Sequence, residues 1–429
     1  MKTLKIGLLG LGQVGSGFYS IFEAKHKSLS QKCGAKLNLA QVAVHNLTKK
    51  RKVRFQSSLL TKNALSVVKN PEINLVIELI GGIHPAKELI LTALRSGKDV
   101  ITANKALLAE HGQELFREAQ KNGRHLLFEA SVGGGIPVIK TIREGLVGNE
   151  IDSIQAIING TSNFILSKMT EEHLDFAEAL RLARKEGFAE ADPTLDIEGI
   201  DAAHKLTILA SLVFGGWVPF QAIYVSGISS IRSEDIEFAD EFGFKIKLLA
   251  VAKKTKSGVE AHVRPTLLSD SHVLSRVNGS NNAVLIHGDR VGDLLLCGQG
   301  AGSQPTGSAV MSDVVDIARL RASSSENPDC TISSKVLSVR NASSLLSRYY
   351  LRFHVVDRPG VLSKISFVLG EYRISISDVI QKERRDGRIV PLILLTHPTP
   401  EQSIQDAVKK IDRLAVTQGK AQVLRIEES

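Results

Sequence analysis

The residues between 190 and 206 combine carboxylates and a lysine at spacings suited to proton transfer. Four carboxylates in "DPTLDIEGIDAAHKL" (residues 192–206) precede Lys205, and Glu190 lies just upstream. Asp201 and Lys205 are four residues apart, so on a helix they would share one face. An exposed ion pair at a helix start is the simpler explanation of that spacing. The crowding of further acids upstream favours a site in which Lys205 is held charged as a proton donor.

A glycine motif at the start of the chain predicts the element that would position a dinucleotide. "LKIGLLGLGQVGSG" holds a short apolar strand, then Gly10, Gly12 and Gly15 in the G-x-G-x-x-G pattern, and a helix-like segment follows. Such glycines allow a tight turn and a close approach to a pyrophosphate, which the helix N-terminus would bind. A structural glycine turn is the alternative. Strand and helix patterns alternate up to about residue 130, which predicts a doubly wound parallel sheet of the Rossmann type.

The charges after the second predicted strand, residues 39–46, favour NADP over NAD. An acidic residue usually ends that strand when the ligand is NAD, because it binds the ribose 2′-hydroxyl. This chain instead has "HNLTKKRK" there, and it has no Asp or Glu between Glu23 and Glu72. Cations would attract a 2′-phosphate, so we predict contacts from Lys50 or Arg51. The same basic window accounts for the net charge of +9 without a nucleic-acid partner.

Length and composition bound the class of protein. A chain of 429 residues is too long for one ordinary core, which predicts two or three domains. Its three cysteines are widely spaced and give neither a disulfide framework nor a metal-type pair, as is typical of a reducing compartment. No stretch reaches the length of a membrane span, and the apolar start is better explained as a strand than as a signal peptide. We expect a cytoplasmic protein with no membrane partner.

Six motifs occur in the order and approximate spacing of homoserine dehydrogenases, and residues 1–322 resemble that family. The motifs are "GLLGLGQVG", "ITANKALLA", "FEASVGGGIPVI", "INGTSNFIL", "GFAEADPTLDIEGIDAAHK" and "GAGSQPTGSAVMSDVVDIAR". The resemblance implies reversible reduction of L-aspartate 4-semialdehyde to L-homoserine with NAD(P)H, on the route to threonine, methionine and isoleucine. Two other functions stay open: a dehydrogenase of another small semialdehyde, and a catalytically silent amino-acid sensor.

The resemblance also implies roles for single residues. Lys205 resembles the general acid/base, Asp201 its partner, and Lys105 in "TANK" a lysine close to substrate and nicotinamide. The implied substrate-binding residues are Glu190, Gly160 and Thr161. Asp196 is a further candidate from the acidic loop, which is bounded by Gly187 and Gly199. The cofactor-binding residues expected from motif and resemblance are Gly10, Gly12, Gln13, Val14, Gly15, Lys50, Arg51, Thr102, Lys105 and Gly302.

The glycine loop "EASVGGGIP" has two interpretations. Carbonyl groups freed in such a loop suit a hard monovalent cation. In the family that the chain resembles, this loop binds Na⁺, which implies a site formed by Glu129, Val132, Gly134 and Ile136. A glycine turn near the nicotinamide is the alternative.

A separate module follows a serine-rich stretch, residues 323–347, that we predict to be a linker. The pattern from residue 348 is βαββαβ, which predicts a ferredoxin-like sandwich. "DRPGVL" and "RISISDV" resemble an ACT domain, which implies an amino-acid effector near Gly360 and Ile376. The expected effector is threonine. A dimerisation module that binds no ligand is the alternative.

The predicted architecture is α/β with three domains. Residues 1–130 and 300–322 are expected to form the Rossmann-type dinucleotide-binding domain, and residues 131–299 an α+β substrate-binding and dimerisation domain. Residues 348–429 are expected to form the ACT regulatory domain. We expect a homo-oligomer, either a dimer or a tetramer.

Overall fold

The computed structural model describes residues 2–49, 53, 55–322, 332–381 and 388–427. Lys50 and Arg51, which were predicted to contact a 2′-phosphate, lie outside these described residues.

The first domain is built on a parallel sheet. Its strands are β1 (Thr3–Leu9), β2 (Lys36–Ala43), β3 (Leu60–Thr61), β4 (Leu75–Glu78), β5 (Asp99–Thr102) and β6 (Leu126–Leu127). Its helices are α1 (Gln13–Cys33), α2 (Ala64–Lys69), α3 (Ala86–Arg95) and α4 (Lys105–Lys121). The strand order is β3-β2-β1-β4-β5-β6, and every pairing is parallel. The predicted Rossmann-type sheet is therefore confirmed, with its switch point beside β1, where the glycine motif follows.

The second domain combines an antiparallel sheet with helices. Its first elements are α5 (Val138–Lys140), β7 (Ile151–Ile157), α6 (Gly160–Glu172), α7 (Phe176–Lys185), α8 (Thr194–Ile197), α9 (Ile200–Val213) and β8 (Gly216–Trp217). The next are β9 (Tyr224–Val225), α10 (Ser233–Glu241), β10 (Phe244–Thr255), β11 (Gly258–Ser269), β12 (Asn281–Gly288) and β13 (Gly292–Gln299). The main strands follow the order β13-β12-β7-β10-β11, with every neighbour antiparallel.

Helix α9 is the central helix of this domain. It is apolar on nearly all its faces, and residues 201–212 are all buried. A helix of that composition is expected in a protein interior. Its two charged side chains near the N-terminus, Asp201 and Lys205, are therefore placed in the interior as well.

A helix that follows the second domain returns to the first. This helix, α11 (Ser303–Ala322), packs along α1 with its backbone in direct contact. A Cβ atom on Gly17 would lie 1.9 Å from the carbonyl oxygen of Ser303, and one on Gly307 would lie 2.5 Å from the amide nitrogen of Phe18. Only glycine at both positions permits this approach, which brings the start of α11 to the glycine motif.

The third module has the predicted βαββαβ order. Its elements are β15 (Leu346–Val356), α12 (Val361–Glu371), β16 (Ile376–Ile380), β17 (Ile389–Thr396), β18 (Thr399–Pro400), α13 (Glu401–Ile411) and β19 (Gln422–Glu427), and a short strand, β14 (Ser333–Val336), precedes them. The sheet order is β19-β15-β17-β16, with antiparallel neighbours. Leu351, Phe353 and Val355 alternate into its core, as predicted. The ferredoxin-like fold is confirmed.

The second and third modules share one sheet. Strand β19 pairs in parallel with β11, through Thr266 with Arg425 and Leu268 with Glu427. The combined sheet has 11 strands. The third module is thus attached to the second by backbone hydrogen bonds as well as by the chain.

The stretch predicted as a linker differs from that expectation where it is described. Ser333–Val336 forms β14, which pairs in parallel with β8. The side-chain amide of Gln113 also donates to the carbonyl oxygen of Ser334 at 2.7 Å. Serine-rich composition indicated a loose segment, but these backbone groups find partners on the folded domains, and that is why the segment is ordered here.

Candidate active site

The predicted catalytic residues come from two domains and meet at one carboxylate. Lys105 is the first residue of α4 and follows the carboxyl end of β5, at the edge of the parallel sheet where ligands usually bind. Asp201 and Lys205 lie in the first turns of α9. Lys105 Nζ is 2.6 Å from Asp201 Oδ1, and Lys205 Nζ is 2.7 Å from Asp201 Oδ2. One aspartate therefore bridges two lysines across the boundary between the domains.

The two lysines differ in their surroundings. The Lys105 side chain is 43% exposed, whereas that of Lys205 is 9% exposed. Lys205 Nζ also donates to the carbonyl oxygen of Ile158 at 2.6 Å. An ammonium has three N–H donors. Two donors of Lys205 are therefore used by the protein, and one remains for a ligand oxygen.

Burial and charge shift the pKa values of this cluster in opposite directions. Burial lowers the pKa of Lys205 below its usual value, although the charge of Asp201 opposes that change. Burial would raise the pKa of Asp201, but the charges of Lys205 and Lys105 outweigh it and hold that pKa well below its usual range. For Lys105, burial is outweighed by the charge of Asp201, and its pKa is raised. The buried Lys205 is thus the lysine whose proton is more easily released.

Asn159 is a member of this cluster that the sequence did not identify. Its side-chain nitrogen donates to Asp196 Oδ1 at 2.7 Å and to Asp201 Oδ2 at 2.8 Å. Its side-chain oxygen accepts from the amide of Ser162 and so caps helix α6. The signal was present as an Asn immediately before a helix, which is a favoured capping residue. The family resemblance gives Gly160 and Thr161 of this Asn-Gly-Thr motif a role in substrate binding, but it gives none to Asn159.

The residues predicted to bind substrate differ in their contacts with the cluster and in their exposure. Asp196 lies within the cluster through its bond to Asn159, and burial raises its pKa. Glu190 is exposed, and its charge acts on Lys105. The Thr161 hydroxyl donates to the carbonyl oxygen of Phe188 at 2.7 Å, so its hydroxyl proton is already used. Gly160 begins α6, and a Cβ there would lie 2.7 Å from a backbone oxygen of Ser280, so it permits close packing.

The glycine motif has the geometry that a diphosphate requires. Gly10 has a φ of 97°, which favours glycine. A Cβ atom on Gly15 would lie 2.4 Å from the carbonyl oxygen of Gly10, so this close approach also requires glycine. A Cβ atom on Gly12 would have no neighbour within 4 Å among the described residues. No side chain caps α1, and its first turn, which includes Gln13 and Val14, has no acidic residue. These features fit a phosphate group at the helix N-terminus.

The other predicted cofactor residues surround this loop. The hydroxyl of Ser303, next to Gly302, donates to the carbonyl oxygen of Gln13 at 2.6 Å, which joins α11 to the glycine motif. Thr102 is fully buried, and its hydroxyl donates to Glu78 at 2.6 Å and accepts from the amide of Asn104. The Thr102 side chain therefore shapes the loop before Lys105 and does not face the opening.

The loop predicted to bind Na⁺ is tightly turned and buried. Its carboxylate, Glu129, accepts from the amides of Ile139 at 3.0 Å and Lys140 at 2.7 Å, and burial raises its pKa to about 7. Val132 and Ile136 are buried, and Gly134 adopts a φ of 57° and lies against Gly300. A buried carboxylate is an oxygen ligand that fits a monovalent cation, because the charge of the cation would keep the acid ionised.

The described part of the chain has neither a cluster of metal-ligating side chains nor a helix that could span a membrane. No group of three or more His, Cys, Asp or Glu side chains is arranged to hold a metal ion there. Among the same residues, no helix combines the length and apolarity needed to cross a bilayer.

Comparisons with known families divide the chain as its fold does. The family model "Homoserine dehydrogenase, NAD binding domain" matches residues 10–129, and "Homoserine dehydrogenase" matches residues 137–315. The model "ACT domain" matches residues 349–415. The second match contains the acidic loop and α9, and the first contains the glycine motif and Lys105.

Individual relatives match over the whole chain. A protein of Pseudomonas aeruginosa named homoserine dehydrogenase is 44% identical over 438 residues, covering 100% of both chains. The crystal structure of a homoserine dehydrogenase from Thiobacillus denitrificans is 42% identical and has a TM-score of 0.92, covering 100% of this chain and 99% of that one. A hyperthermophilic archaeal homoserine dehydrogenase, in complex with NADPH, is 26% identical with a TM-score of 0.60, covering 75% of this chain and 98% of that one.

Proposed function

The chain belongs to the homoserine dehydrogenase family and is an oxidoreductase acting on a CH–OH group, and we propose that it reduces L-aspartate 4-semialdehyde to L-homoserine with NADPH. The observation that carries this proposal is the bridge that Asp201 forms between Lys105 and Lys205. It unites a residue at the cofactor edge of the parallel sheet with a buried proton donor. The reaction would supply the homoserine needed for threonine, methionine and isoleucine.

Bound NADPH supplies the hydride for the aldehyde carbon. The carbonyl oxygen then gains negative charge and needs a proton, which Lys205 donates through its remaining N–H. Asp201 and the carbonyl oxygen of Ile158 fix the direction of the Lys205 ammonium. The lowered pKa of Lys205 favours the release of that proton, and the neutral amine would accept it back when homoserine is oxidised.

The acidic loop would bind the ammonium group of the amino-acid substrate. Asp196 is half-buried within the cluster, and Glu190 is exposed close to Lys105. Both carboxylates belong to the acidic loop that precedes α9 in the chain. Lys105 would contact substrate and nicotinamide from the opposite domain, since its side chain is half-exposed.

Preference for NADPH over NADH is proposed from charge. The absence of acidic residues between Glu23 and Glu72 removes the usual partner of a ribose 2′-hydroxyl. Lys50 and Arg51 would bind the 2′-phosphate. The NADPH complex of the archaeal relative supports this choice. Replacement of Lys50 and Arg51 by Ala should raise the KM for NADPH and leave the KM for NADH unchanged.

Three further features complete the proposal. Na⁺ would be held by Glu129 and by the carbonyl groups of Val132, Gly134 and Ile136. Threonine would bind the third module beside Gly360, which begins α12 with a φ of 87°, and Ile376 on β16. The working form would be a cytoplasmic dimer or tetramer, joined through the second domain.

The test is NADPH oxidation on addition of L-aspartate 4-semialdehyde, repeated with NADH and with threonine. We expect turnover with NADPH, slower turnover with NADH, and inhibition by threonine. Close analogues that lack the α-amino group should react poorly. Equal turnover of such analogues would contradict the substrate assignment, and equal specificity constants for both cofactors would contradict the NADPH preference.

A further inference from the structure

A cavity of about 260 Å³ lies where the third module joins the second. Its walls are formed by β9 and β11 on one side and by α13, β15 and β19 on the other. The polar side chains that matter here are Tyr224, Arg264, Tyr349, Glu401, Gln405 and Arg425. Neither Gly360 nor Ile376 lines it, so this cavity is separate from the proposed threonine site.

Arg264 supplies hydrogen-bond donors that the described residues do not use. Its Nη1 donates to both oxygens of Glu401, at 2.9 and 2.8 Å. Its Nε and Nη2 are buried and have no hydrogen-bond partner among the described residues, and the residue is only 6% exposed. Buried guanidinium donors of this kind are costly unless they are satisfied. Because Nε–H and Nη2–H lie on one edge of the guanidinium, they match the two oxygens of a carboxylate.

The charge of the cavity wall also favours an anion. Three cationic side chains, Arg264, Arg425 and Lys409, line the cavity, and Glu401 is the only acidic side chain among the described residues of its lining. The ring of Tyr224 lies 4.3 Å from the Arg264 guanidinium, and Tyr224 is 39% exposed. The ring thus covers the face of the guanidinium, and a ligand reaches the buried Nε and Nη2 only when side chains of the cavity wall move.

We propose that this cavity binds a small carboxylate ligand, with the carboxylate on the Nε–Nη2 edge of Arg264. A cavity of about 260 Å³ admits a molecule of amino-acid size. An α-amino acid and a simple dicarboxylate share the carboxylate chemistry. Glu401 and Gln405 lie in the same wall and would accept from the ammonium group of an amino acid.

The cavity is connected to the start of the catalytic helix. Ser226, in its wall, donates its amide to the carbonyl oxygen of Val263 at 2.8 Å. The amide of Ile228 donates to the carbonyl oxygen of Ile197 at 2.7 Å. Gly199 begins α9, and a Cβ atom there would lie 3.3 Å from the side chains of Val225 and Val263. A ligand that moves residues 224–228 would therefore move the segment just before Asp201.

The consequence for turnover rests on the proposed function, whereas binding does not. Binding is measured first, by isothermal titration calorimetry of the full chain with L-threonine, succinate and, for the anion effect alone, NaCl. Because threonine is also proposed to bind beside Gly360, succinate is the probe that reports on the cavity, and succinate binding would support a carboxylate site there. A threonine signal counts for the cavity only where the cavity variants weaken it. If neither probe bound at about 10 mM, the proposal would be wrong.

Two variants test the position of the ligand. Gln405→Glu adds a carboxylate to the cavity wall, and Arg264→Lys keeps a charge for Glu401 but removes the two-donor edge. Each should raise the Kd by about tenfold or more. Gln402→Glu is the matched control, since it makes the same change on an exposed part of α13 outside the cavity. Succinate binding that is unchanged in both cavity variants would assign the carboxylate to another site and overturn the proposal.

An activity arm separates this proposal from the proposed function. Ligand binding should change kcat or KM for the semialdehyde in wild type and in Gln402→Glu, and should do so less in Gln405→Glu. Cavity binding in a chain with no turnover would contradict the proposed function alone. Normal turnover in a chain whose cavity binds no probe would contradict the cavity proposal alone.

Discussion

Two buried aspartates occupy matching positions in this molecule and have different consequences. Asp201 lies in the first turn of α9 and Asp235 in the first turn of α10. Their exposed fractions are 5% and 0%. A helix N-terminus favours a negative charge at both places. Each aspartate also binds side chains from another domain: Asp201 pairs with Lys105, and Asp235 with Arg352 of the third module.

The two aspartates differ in the side chains that bind them. Asp235 accepts from Arg352 at 2.7 and 3.1 Å and from the hydroxyl of Tyr350 at 3.1 Å. An arginine does not release its proton in proteins, and this Arg352 side chain is 3% exposed. Asp201 instead holds two lysines, one of them 43% exposed. A buried carboxylate bound by arginine thus fixes a domain contact, whereas one bound by lysines beside an opening suits the proton transfer that we propose.

The largest expected effect is the loss of the buried lysine at the first aspartate. Lys205→Met removes the proposed proton donor, and kcat for reduction should fall by about 10²–10⁴-fold. The matched control is Lys168→Met, because Lys168 forms an ion pair with Glu172 at the same i,i+4 spacing near the end of α6, where both side chains are partly exposed. Steady-state kinetics and a thermal unfolding curve check both variants. Normal turnover in Lys205→Met would refute the proton-donor role.

The second effect is expected in stability and not in catalysis. Arg352→Met leaves Asp235 buried without its cation, which should lower the free energy of unfolding by about 3–5 kcal/mol. Urea unfolding measures this change, and kcat per folded molecule should stay near that of wild type. Arg319→Met is the control, since Arg319 is 57% exposed and 3.9 Å from its partner Asp316. An equal loss of unfolding free energy in both variants would show that the buried contact contributes no more than an exposed ion pair.

A smaller loss is expected when the amide that positions the first aspartate is removed. Asn159→Ala removes one donor from Asp196 and one from Asp201, although the two lysines still bind Asp201. The transition state measured by kcat/KM should therefore lose about 1–3 kcal/mol of stabilisation. Asn63→Ala is the control, because Asn63 likewise caps a helix, at Ser66, but lies far from the cluster in the chain. Equal kinetic effects of the two variants would mean that Asn159 acts only as a helix cap.

The smallest effect is a shift of a pH profile. Burial lowers the pKa of Lys205, so the reduction rate should fall as pH rises through that pKa, because the ammonium is the reacting form. Homoserine oxidation needs the neutral amine and should rise over the same range. Asp201→Asn removes a charge that favours the ammonium, so both limbs should move to lower pH, by about one unit. Asp235→Asn should leave both limbs in place; a shift there would break the contrast between the two aspartates.

The sequence predicted local features well and long-range partners poorly. The glycine motif, the i,i+4 spacing of Asp201 and Lys205, and the alternation of β15 depend on neighbouring residues, so pattern was sufficient. Asn159 was missed because its partners, Asp196 in α8 and Asp201 in α9, lie further along the chain. No local pattern indicates that Arg352 meets Asp235, or that Arg264 meets Glu401. Family resemblance, and not spacing, connected Lys105 with the acidic loop.

The pairing of β11 with β19 also constrains how the chain folds as it is synthesised. Residues 258–269 leave the ribosome long before residues 422–427. Until then, part of β11 has an open edge whose N–H and C=O groups can pair with another chain. Folding of the central sheet therefore stays incomplete during most of the translation of the third module. A ribosome that stalls within that module would hold an aggregation-prone intermediate, and a chaperone that covers a strand edge would protect it.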